Sequence, residues 1–237
     1  MKKVVILGAT SYNEISELIN DINSSQISES DKINVVGLLD DNGELLNKTI
    51  LGKKVLGKLD EYKNLDDDTF FVFGIGSHKT HLTRYDILNR LKIPESRFIS
   101  LVHPSAKIFS TAKVDYGSII HYNSIVFNHT YIAPFTIIMA SSVIGANNII
   151  GEGCCITSQV VTTSGVKIGN YSFIGVNTSI GENVEISPGC LISMNSLVTK
   201  NTKSGELRFG IPSKKINTKA VDSKIIQSWK NLKQRII

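Results

Sequence analysis

The chain has 237 residues, of which 41% are hydrophobic and 20% are charged, and its formal net charge is +5. These values are typical of a soluble globular protein with one large or two modest domains. No early segment resembles a signal peptide, no apolar run is long enough to span a bilayer, and three cysteines are too few for a disulfide framework. We therefore expect a protein of the reducing cytoplasm, with no membrane partner and no metal site.

The first part of the chain begins with an apolar run, a turn of small residues and a helical pattern. Val4–Leu7 predicts a buried strand, Gly8–Ser11 forms the turn, and apolar residues then recur at helical spacing from Ile15 to Ile22. This order is typical of the first unit of a Rossmann-like sheet, whose turn directs backbone N–H groups toward an anion. The full G-x-G-x-x-G pattern is absent, so a dinucleotide is only weakly indicated.

Two further buried strands are predicted before residue 102, and residues 55–57 are interpreted as a short additional strand. Residues 35–39 end at Asp40, residues 70–73 end at the Gly74–Ser77 loop, and residues 78–91 carry a helical pattern. A carboxylate at the end of such a strand faces the ligand crevice of a parallel sheet, although Asp41-Asn42-Gly43 is equally a plain turn. We predict that residues 1–102 form a Rossmann-like domain.

The stretch from Ile108 to Val198 has an internal repeat. Every sixth residue is Ile or Val in fifteen of sixteen positions, the exception being Thr162. A hexapeptide period predicts a three-sided parallel β-helix with eighteen residues in each coil, whereas an α-helix or an ordinary strand would need another period. Each coil buries its aliphatic residues by stacking on its neighbours. We place this prism at residues 103–200 and expect a local bulge at Thr162–Gly165.

Two more regularities accompany the repeat. Four residues after each aliphatic position stands a small or medium residue, and Cys154 and Cys190 belong to that set, so we interpret them as buried structural thiols. Cys155 should point outward, without an activating partner. Glycine follows the aliphatic residue at five turns, where we expect it to accept backbone angles that other residues resist. These glycines are Gly145, Gly151, Gly169, Gly175 and Gly181.

The end of the chain, residues 201–237, differs in charge and pattern. Residues 200–237 contain ten Lys or Arg and two acids, a net charge of +8, which leaves −3 for the rest. Such a charge can attract the phosphates of a nucleotide cofactor, but no stacking aromatics accompany it, so we do not expect nucleic acid. Apolar residues from Val221 to Ile236 predict an amphipathic helix that covers a coil or a neighbouring subunit.

The order of these parts is similar to one family. A Rossmann-like domain, a prism entered through His103-Pro104-Ser105-Ala106, and a following Gly210-Ile211-Pro212-Ser213-Lys214 turn resemble the hexapeptide-repeat sugar O- and N-acyltransferases. That family includes sialic acid O-acetyltransferases and nucleotide-amino-sugar N-acetyltransferases. The resemblance implies a left-handed prism, a homotrimer, a nucleotide-sugar on the N-terminal domain, and acetyl-coenzyme A in a groove between adjacent prisms.

The resemblance also assigns binding residues. It implies that the nucleotide-sugar lies against Gly8, Ala9, Thr10, Ser11, Asp40, Gly74, Gly76 and Ser77. It implies that acetyl-coenzyme A lies near Gly175 and the turn of Gly210, Ile211 and Pro212, with Lys214 or Lys215 meeting a phosphate. One departure is that Thr10-Ser11-Tyr12 replaces the glycine-rich turn common in the family.

The expected catalytic base is missing. The family has a histidine and an acidic residue before an Ile-Gly turn, and alignment on Ile150-Gly151 puts Ala146 and Asn147 there; a family asparagine falls near Met139. His129 is the best substitute, since Asn128 stacks one coil from Ala146, about 5 Å along the prism axis. A surface histidine on a turn is the plainer interpretation of His129. His121 has less support, and His103 is interpreted as structural.

A missing base favours an amine acceptor over a hydroxyl, since a neutral amine is already nucleophilic. Positioning can contribute roughly 7–11 kcal/mol, against about 10²–10⁴-fold for a general base. We therefore expect an acyl-coenzyme A-dependent N-acetyltransferase of a UDP- or dTDP-linked amino sugar for surface glycan synthesis, with His129, Asn147 or Asn148 orienting the amine. The alternatives are a sugar O-acetyltransferase of the sialic acid type and an inactive binding or scaffold protein.

Overall fold

The computed structural model describes residues 1–25 and 27–236. The N-terminal part is a five-stranded sheet in the order β3-β4-β2-β1-β5, parallel except for the β3–β4 hairpin. Its strands are β1 (Lys2–Leu7), β2 (Ile33–Leu39), β3 (Thr49–Ile50), β4 (Lys53–Gly57) and β5 (Phe70–Phe73), and its helices are α1 (Tyr12–Ser24) and α2 (Thr83–Leu91). The three buried strands, the short strand expected at residues 55–57 and the first helix are present, and the second helix begins five residues later than the pattern indicated. The Rossmann-like assignment stays a prediction.

The rest of the chain winds through three parallel sheets, one on each side of a triangular column. Face 1 contains β6, β9, β12, β15, β18 and β21; face 2 contains every third strand from β7; face 3 contains every third strand from β8. The strands are two residues each: β6 (Leu101–Val102), β7 (Lys107–Ile108), β8 (Lys113–Val114), β9 (Ile119–Ile120), β10 (Ile125–Val126), β11 (Tyr131–Ile132), β12 (Ile137–Ile138), β13 (Val143–Ile144), β14 (Ile149–Ile150), β15 (Cys155–Ile156), β16 (Val161–Thr162), β17 (Lys167–Ile168), β18 (Phe173–Ile174), β19 (Ser179–Ile180), β20 (Glu185–Ile186), β21 (Leu191–Ile192) and β22 (Leu197–Val198).

Strand register confirms the predicted period of eighteen residues per coil. Ile120 pairs with Ile138, Ile138 with Ile156, and Ile156 with Ile174, so the repeated aliphatic side chains form one buried interior. The first residue of each strand points away from this interior, as alternation along a strand requires. The stacked parallel sheets fit a left-handed β-helix.

The predicted bulge at Thr162 is wrong. Thr162 pairs in register with Ile144 on one side and Ile180 on the other. Its hydroxyl lies 2.5 Å from the side-chain nitrogen of buried Asn148 and also accepts the Gly145 N–H. A polar side chain enters the interior here because its neighbour in the adjacent coil is polar too, and the two satisfy each other.

The turns also correct the expected role of the repeated glycines. In most turns the residue with positive φ is the third, for example Asn147, Asn177 and Asn183, and not the glycine two residues earlier. A Cβ at Gly145 or Gly175 would instead collide with the backbone of the next coil. At these two positions glycine is therefore required by the close stacking of successive turns and not by its own backbone angles.

After the prism, β23 (Glu206–Phe209) extends face 1 in parallel, and β24 (Lys214–Thr218) returns antiparallel to it. The predicted last helix is confirmed as α3 (Ser223–Ile236), which buries Ile225 and Trp229. The Trp229 indole N–H donates to the Glu185 carboxylate on face 3, so α3 covers a face of its own prism. In the described part of the chain no helix combines the length and apolar character needed to cross a membrane.

Candidate functional site

A cavity of about 590 Å³ lies between the N-terminal sheet and face 1 of the prism. Three loops form one side, and each follows the carboxyl end of a neighbouring parallel strand: Gly8–Ser11 after β1, Asp40 after β2, and Gly74–Ser77 after β5. This is the end of a parallel sheet at which ligands bind. The structure brings seven of the eight predicted substrate residues to the cavity, and the eighth, Ala9, is buried behind it.

The first loop is held by a carboxylate. The Ala9 N–H donates to Asp40 Oδ2 at 2.7 Å, and the Asn42 N–H donates to Asp40 Oδ1 at 2.8 Å. Gly8 has a φ of 102°, and a Cβ there would lie 2.7 Å from the Ile75 side chain. Glycine is needed at this position because the first and third loops touch.

The third loop is fastened to the prism. A Cβ on Gly76 would lie 2.8 Å from Ile137 and 3.1 Å from the Cys155 sulfur, so the loop backbone lies directly against face 1. Beneath it, the fully buried Arg84 donates to the Ile75 carbonyl and to the Phe135 carbonyl of the prism. These contacts fix the two sides of the cavity relative to each other.

The prism side of the cavity was not anticipated from the sequence. It consists of outward-pointing residues of the face 1 strands and of the first residue of each turn that leads from face 1 to face 2. We call the position of these turns the corner between faces 1 and 2. The residues are Ile119, Ile137, Cys155 and Phe173 on the strands, and His121, Met139 and Thr157 at the corner. Each set repeats every eighteen residues, which the sequence already contained. The missing information was which of the three faces the N-terminal domain covers.

Cys155 points away from the prism interior, as predicted, yet it is only 4% exposed because the third loop covers it. Burial raises the pKa of its thiol, so it is protonated at neutral pH. Cys154 and Cys190 are buried within the prism, as expected.

His121 is the one histidine on the prism side of the cavity among the described residues. It is 7% exposed, and burial, with a smaller contribution from His103, lowers its pKa to about 4. His103 itself lies 2.9 Å from Asp21 through Nε2 and accepts the Ser105 N–H through Nδ1, which fits a structural role. At neutral pH His121 is therefore an uncharged imidazole facing the cavity.

The catalytic residues proposed from the sequence lie elsewhere. His129 and Asn147 are each the third residue of a turn at the corner between faces 2 and 3, and neither lines the cavity. The Asn147 N–H donates to the Asn128 carbonyl at 3.0 Å, which places these turns on adjacent coils as expected. Asn148 is fully buried in the prism, where its carbonyl oxygen accepts the Val166 N–H at 2.7 Å.

The predicted cofactor residues lie farther along the same corner as His121. Gly175 is the first residue of its turn and lies eighteen positions after Thr157. The same spacing separates His121, Met139, Thr157 and Gly175, which therefore form one column along the prism. With a strand spacing near 4.8 Å, Gly175 lies about 14 Å along the axis from His121. The Leu197 N–H donates to the Gly210 carbonyl at 3.1 Å, so the 210–212 turn packs at the far end of the prism. Lys214 and Lys215 are exposed beyond it.

Comparison with known proteins finds no matching family model and no match among curated proteins. Solved structures do match over most of the chain. PerB from Caulobacter crescentus, in complex with CoA and GDP-perosamine, has a TM-score of 0.77 at 18% identity, covering 91% of this chain and 97% of that one. A histidine-to-asparagine variant of perosamine N-acetyltransferase from the same organism, in complex with the same two ligands, has a TM-score of 0.76 at 17% identity. The match covers 91% of this chain and 97% of that one.

A third match comes from another organism. The acetyltransferase domain of PglB from Neisseria gonorrhoeae FA1090, in complex with acetyl coenzyme A, has a TM-score of 0.76 at 16% identity, covering 91% of this chain and 99% of that one. The chain therefore shares the fold of sugar N-acetyltransferases built on a hexapeptide-repeat β-helix. These matches bear out the N-acetyltransferase part of the resemblance at the level of fold, and no sialic acid O-acetyltransferase is among the neighbours described.

Proposed function

We propose that this protein is an acyl-coenzyme A-dependent N-acyltransferase that acetylates a nucleotide-linked amino sugar for surface glycan synthesis. One observation carries the proposal: the cavity at the strand ends and the predicted cofactor residues lie along a single corner of the prism. A sugar held at one end and a thioester approaching from the other would meet at this corner.

The N-terminal loops suit the nucleotide. The Gly8–Ser11 turn leads directly into α1, whose positive end favours an anion such as a diphosphate. Asp40 holds this turn and keeps free lone pairs on both carboxylate oxygens, which can accept hydroxyl or amine donors of the ligand. The sugar would extend from this end toward face 1.

The far end of the prism suits the acyl carrier. Exposed apolar side chains gather there: Val176 and Met194 occupy one column of the corner, and Phe209 and Ile211 flank the 210–212 turn. An extended pantetheine could lie on them, with its phosphates near Lys214 and Lys215. We assign coenzyme A to this end, in a groove completed by the adjacent prism of a homotrimer.

The acceptor in this proposal is an amine. Amine attack on a thioester needs orientation first, and well-placed reactants can gain roughly 7–11 kcal/mol from it. Two of the matched structures hold an amino sugar, GDP-perosamine, together with CoA, which supports the same acceptor chemistry here. The nucleotide in this proposal is UDP, dTDP or GDP, which the substrate panel distinguishes.

The test is a substrate panel. Purified protein is incubated with acetyl-coenzyme A and UDP-, dTDP- and GDP-linked amino sugars, while free thiol is followed optically and the products by mass spectrometry. We expect one or a few amino sugars to gain an acetyl group with matching thiol release. The same sugars already N-acetylated serve as matched controls, because they differ only in the free amine.

Two outcomes would replace the proposal. Transfer to the N-acetylated controls would identify a hydroxyl acceptor and an O-acetyltransferase. Coenzyme A binding by calorimetry, with no transfer across the panel, would indicate a binding protein that has lost its chemistry.

A further inference from the structure

The prism side of the cavity is almost entirely without acid–base chemistry. Ile119, Ile137, Met139 and Phe173 are apolar, and Cys155 and Thr157 are weak proton acceptors at neutral pH. His121 is the exception, and no side-chain hydrogen bond engages its ring within residues 1–25 and 27–236. A buried imidazole without a protein partner, facing a cavity, is a group whose hydrogen-bonding capacity is left for a ligand.

The position of His121 is as informative as its chemistry. It is the first member of the column that runs through Met139 and Thr157 to Gly175. It also lies on the opposite side of the cavity from the Gly8–Ser11 turn and Asp40. A sugar held by those loops would present its far end to His121, and a carrier lying along the column would approach the same point.

We propose that His121 is the catalytic base of this protein and accepts the proton of the sugar amine during acyl transfer. This inference rests on the proposed function. It transfers the role of base from the corner between faces 2 and 3, where His129 and Ala146 lie, to the wall of the cavity itself.

The chemistry balances without another reagent. The amine nitrogen attacks the thioester carbonyl carbon, a C–N bond forms, and His121 takes one proton from that nitrogen. The C–S bond then breaks, and sulfur leaves with the electron pair. The protonated imidazole returns its proton to the thiolate, which gives the amide, free coenzyme A thiol and a neutral His121.

The surroundings of His121 decide when it can act. His103 is the titratable neighbour on its own side, while Glu14, Asp40, Asp41 and His78 line the cavity opposite. Burial keeps the imidazole neutral, which is the form that accepts a proton. A bound diphosphate adds negative charge and would raise the pKa of His121 toward the working pH, where a base is most effective.

His78 is the rival within the cavity. It is exposed and directly follows the third loop, with its ring 6.1 Å from that of Phe173. Exposure lets water compete for its nitrogens, and it stands on the sheet side, which we assign to the nucleotide. His81 is buried behind this loop and does not line the cavity.

The experiment compares His121→Gln, His121→Ala and His78→Gln with wild type, on the amino sugar that the panel identifies. The kcat of His121→Gln should fall about 10²-fold or more, with the KM of the sugar changed by less than about threefold. The acid limb of the pH profile of kcat/KM should disappear. Added imidazole should restore part of the activity of His121→Ala, which a structural role would not allow.

Each result has a definite consequence. Lys54→Gln, an exposed change on β4, controls for handling and should match wild type. Wild-type kcat and an unchanged pH profile in His121→Gln would overturn the inference while leaving the proposed function intact. The same holds if the loss of kcat appears only in His78→Gln. Wild-type protein without transfer would overturn both.

Discussion

The Ala9 N–H donates a hydrogen bond to Asp40 Oδ2 at 2.7 Å and so joins the first two strand-end loops of the cavity. The other oxygen of the same carboxylate accepts the Asn42 N–H at 2.8 Å. Asp40 therefore shapes the loop that would receive the diphosphate, whether or not it also touches the sugar. This double role separates it from the glycines of the same loops, which act by allowing close approach.

Asp40→Asn should weaken nucleotide binding about tenfold and reduce the free energy of unfolding by about 1–2 kcal/mol. The amide keeps one acceptor oxygen, so one of the two backbone N–H groups loses its partner. Calorimetry with nucleoside diphosphates and urea unfolding measure the two effects. Asp31→Asn, an exposed carboxylate paired with Lys2, is the matched control. Equal binding by both variants would show that Asp40 does not shape the site.

The low pKa of His121 predicts a dependence of stability on pH. Its pKa is about 4 in the folded protein against 6.5 as the ordinary value, so between these values the unfolded chain binds more protons. Stability is therefore complete above pH 6.5 and falls as the pH drops toward 4, with a loss of about 2 kcal/mol at pH 5. Buried His81, whose pKa burial also lowers, adds a change of the same sign.

Urea unfolding of wild type and His121→Gln at pH 7.5 and pH 5 isolates this contribution. Wild type should lose about 2 kcal/mol more than the variant between the two values. His81 and the carboxylates are common to both proteins and cancel in the difference. Parallel losses in the two proteins would mean that His121 is not held neutral by burial.

Arg84 joins the Gly74–Ser77 loop to the prism from a fully buried position. It donates to the Ile75 and Phe135 carbonyls, and its guanidinium lies 4.8 Å from the centre of the Phe73 ring. Arg84→Met should lower the free energy of unfolding by about 2–4 kcal/mol, because it leaves two carbonyls without donors. Arg84→Lys should cost less, since the ammonium can still reach one of them.

Arg90→Met is the comparison for Arg84. Arg90 lies on the same helix as Arg84 and pairs with Asp41 at 2.6 Å, but its side chain is 46% exposed. Exposed ion pairs contribute about 0–1 kcal/mol to the free energy of unfolding. Thermal or urea unfolding ranks the variants. If Arg84→Met cost no more than Arg90→Met, the link between loop and prism would be dispensable.

The two lysines after the 210–212 turn test the cofactor end. Replacing both Lys214 and Lys215 by Gln should raise the KM for acetyl-coenzyme A about tenfold, with kcat and the KM of the sugar little changed. Loss of two phosphate partners weakens binding equally in the ground and transition states. The effect should shrink at high salt, since both side chains are exposed. A double variant at Lys63 and Lys79, also exposed, controls for net charge, and an equal KM shift there would contradict a local role.

Much of the fold could be predicted because its signal is local and repeated. From Ile108 to Val198 an inward-pointing position recurs every six residues, so one repeat predicts the next. The strand-end loops at Gly8, Asp40 and Gly74 were also predicted, since a short apolar run followed by small or acidic residues indicates the end of a parallel strand.

Local reasoning failed where the deciding neighbour belonged to another coil. Thr162 was expected to form a bulge, but it stays in register because Asn148, fourteen residues earlier, lies beside it in the interior. The turn glycines were assigned to unusual backbone angles, whereas at four of the five the next coil leaves no room for a Cβ. Neither partner can be inferred from the adjacent residues.

The sequence by itself determined that a triangular column exists and which side chains point out of it, because the period of six is a property of each short segment. Only the tertiary structure decided which side of the column the N-terminal domain covers. Because the N-terminal sheet lies against face 1, His121 and Cys155 line the cavity, whereas His129 lies outside it. This arrangement rests on long-range contacts such as those of Arg84 and Gly76, which join residues distant in the chain and leave no periodic trace in it.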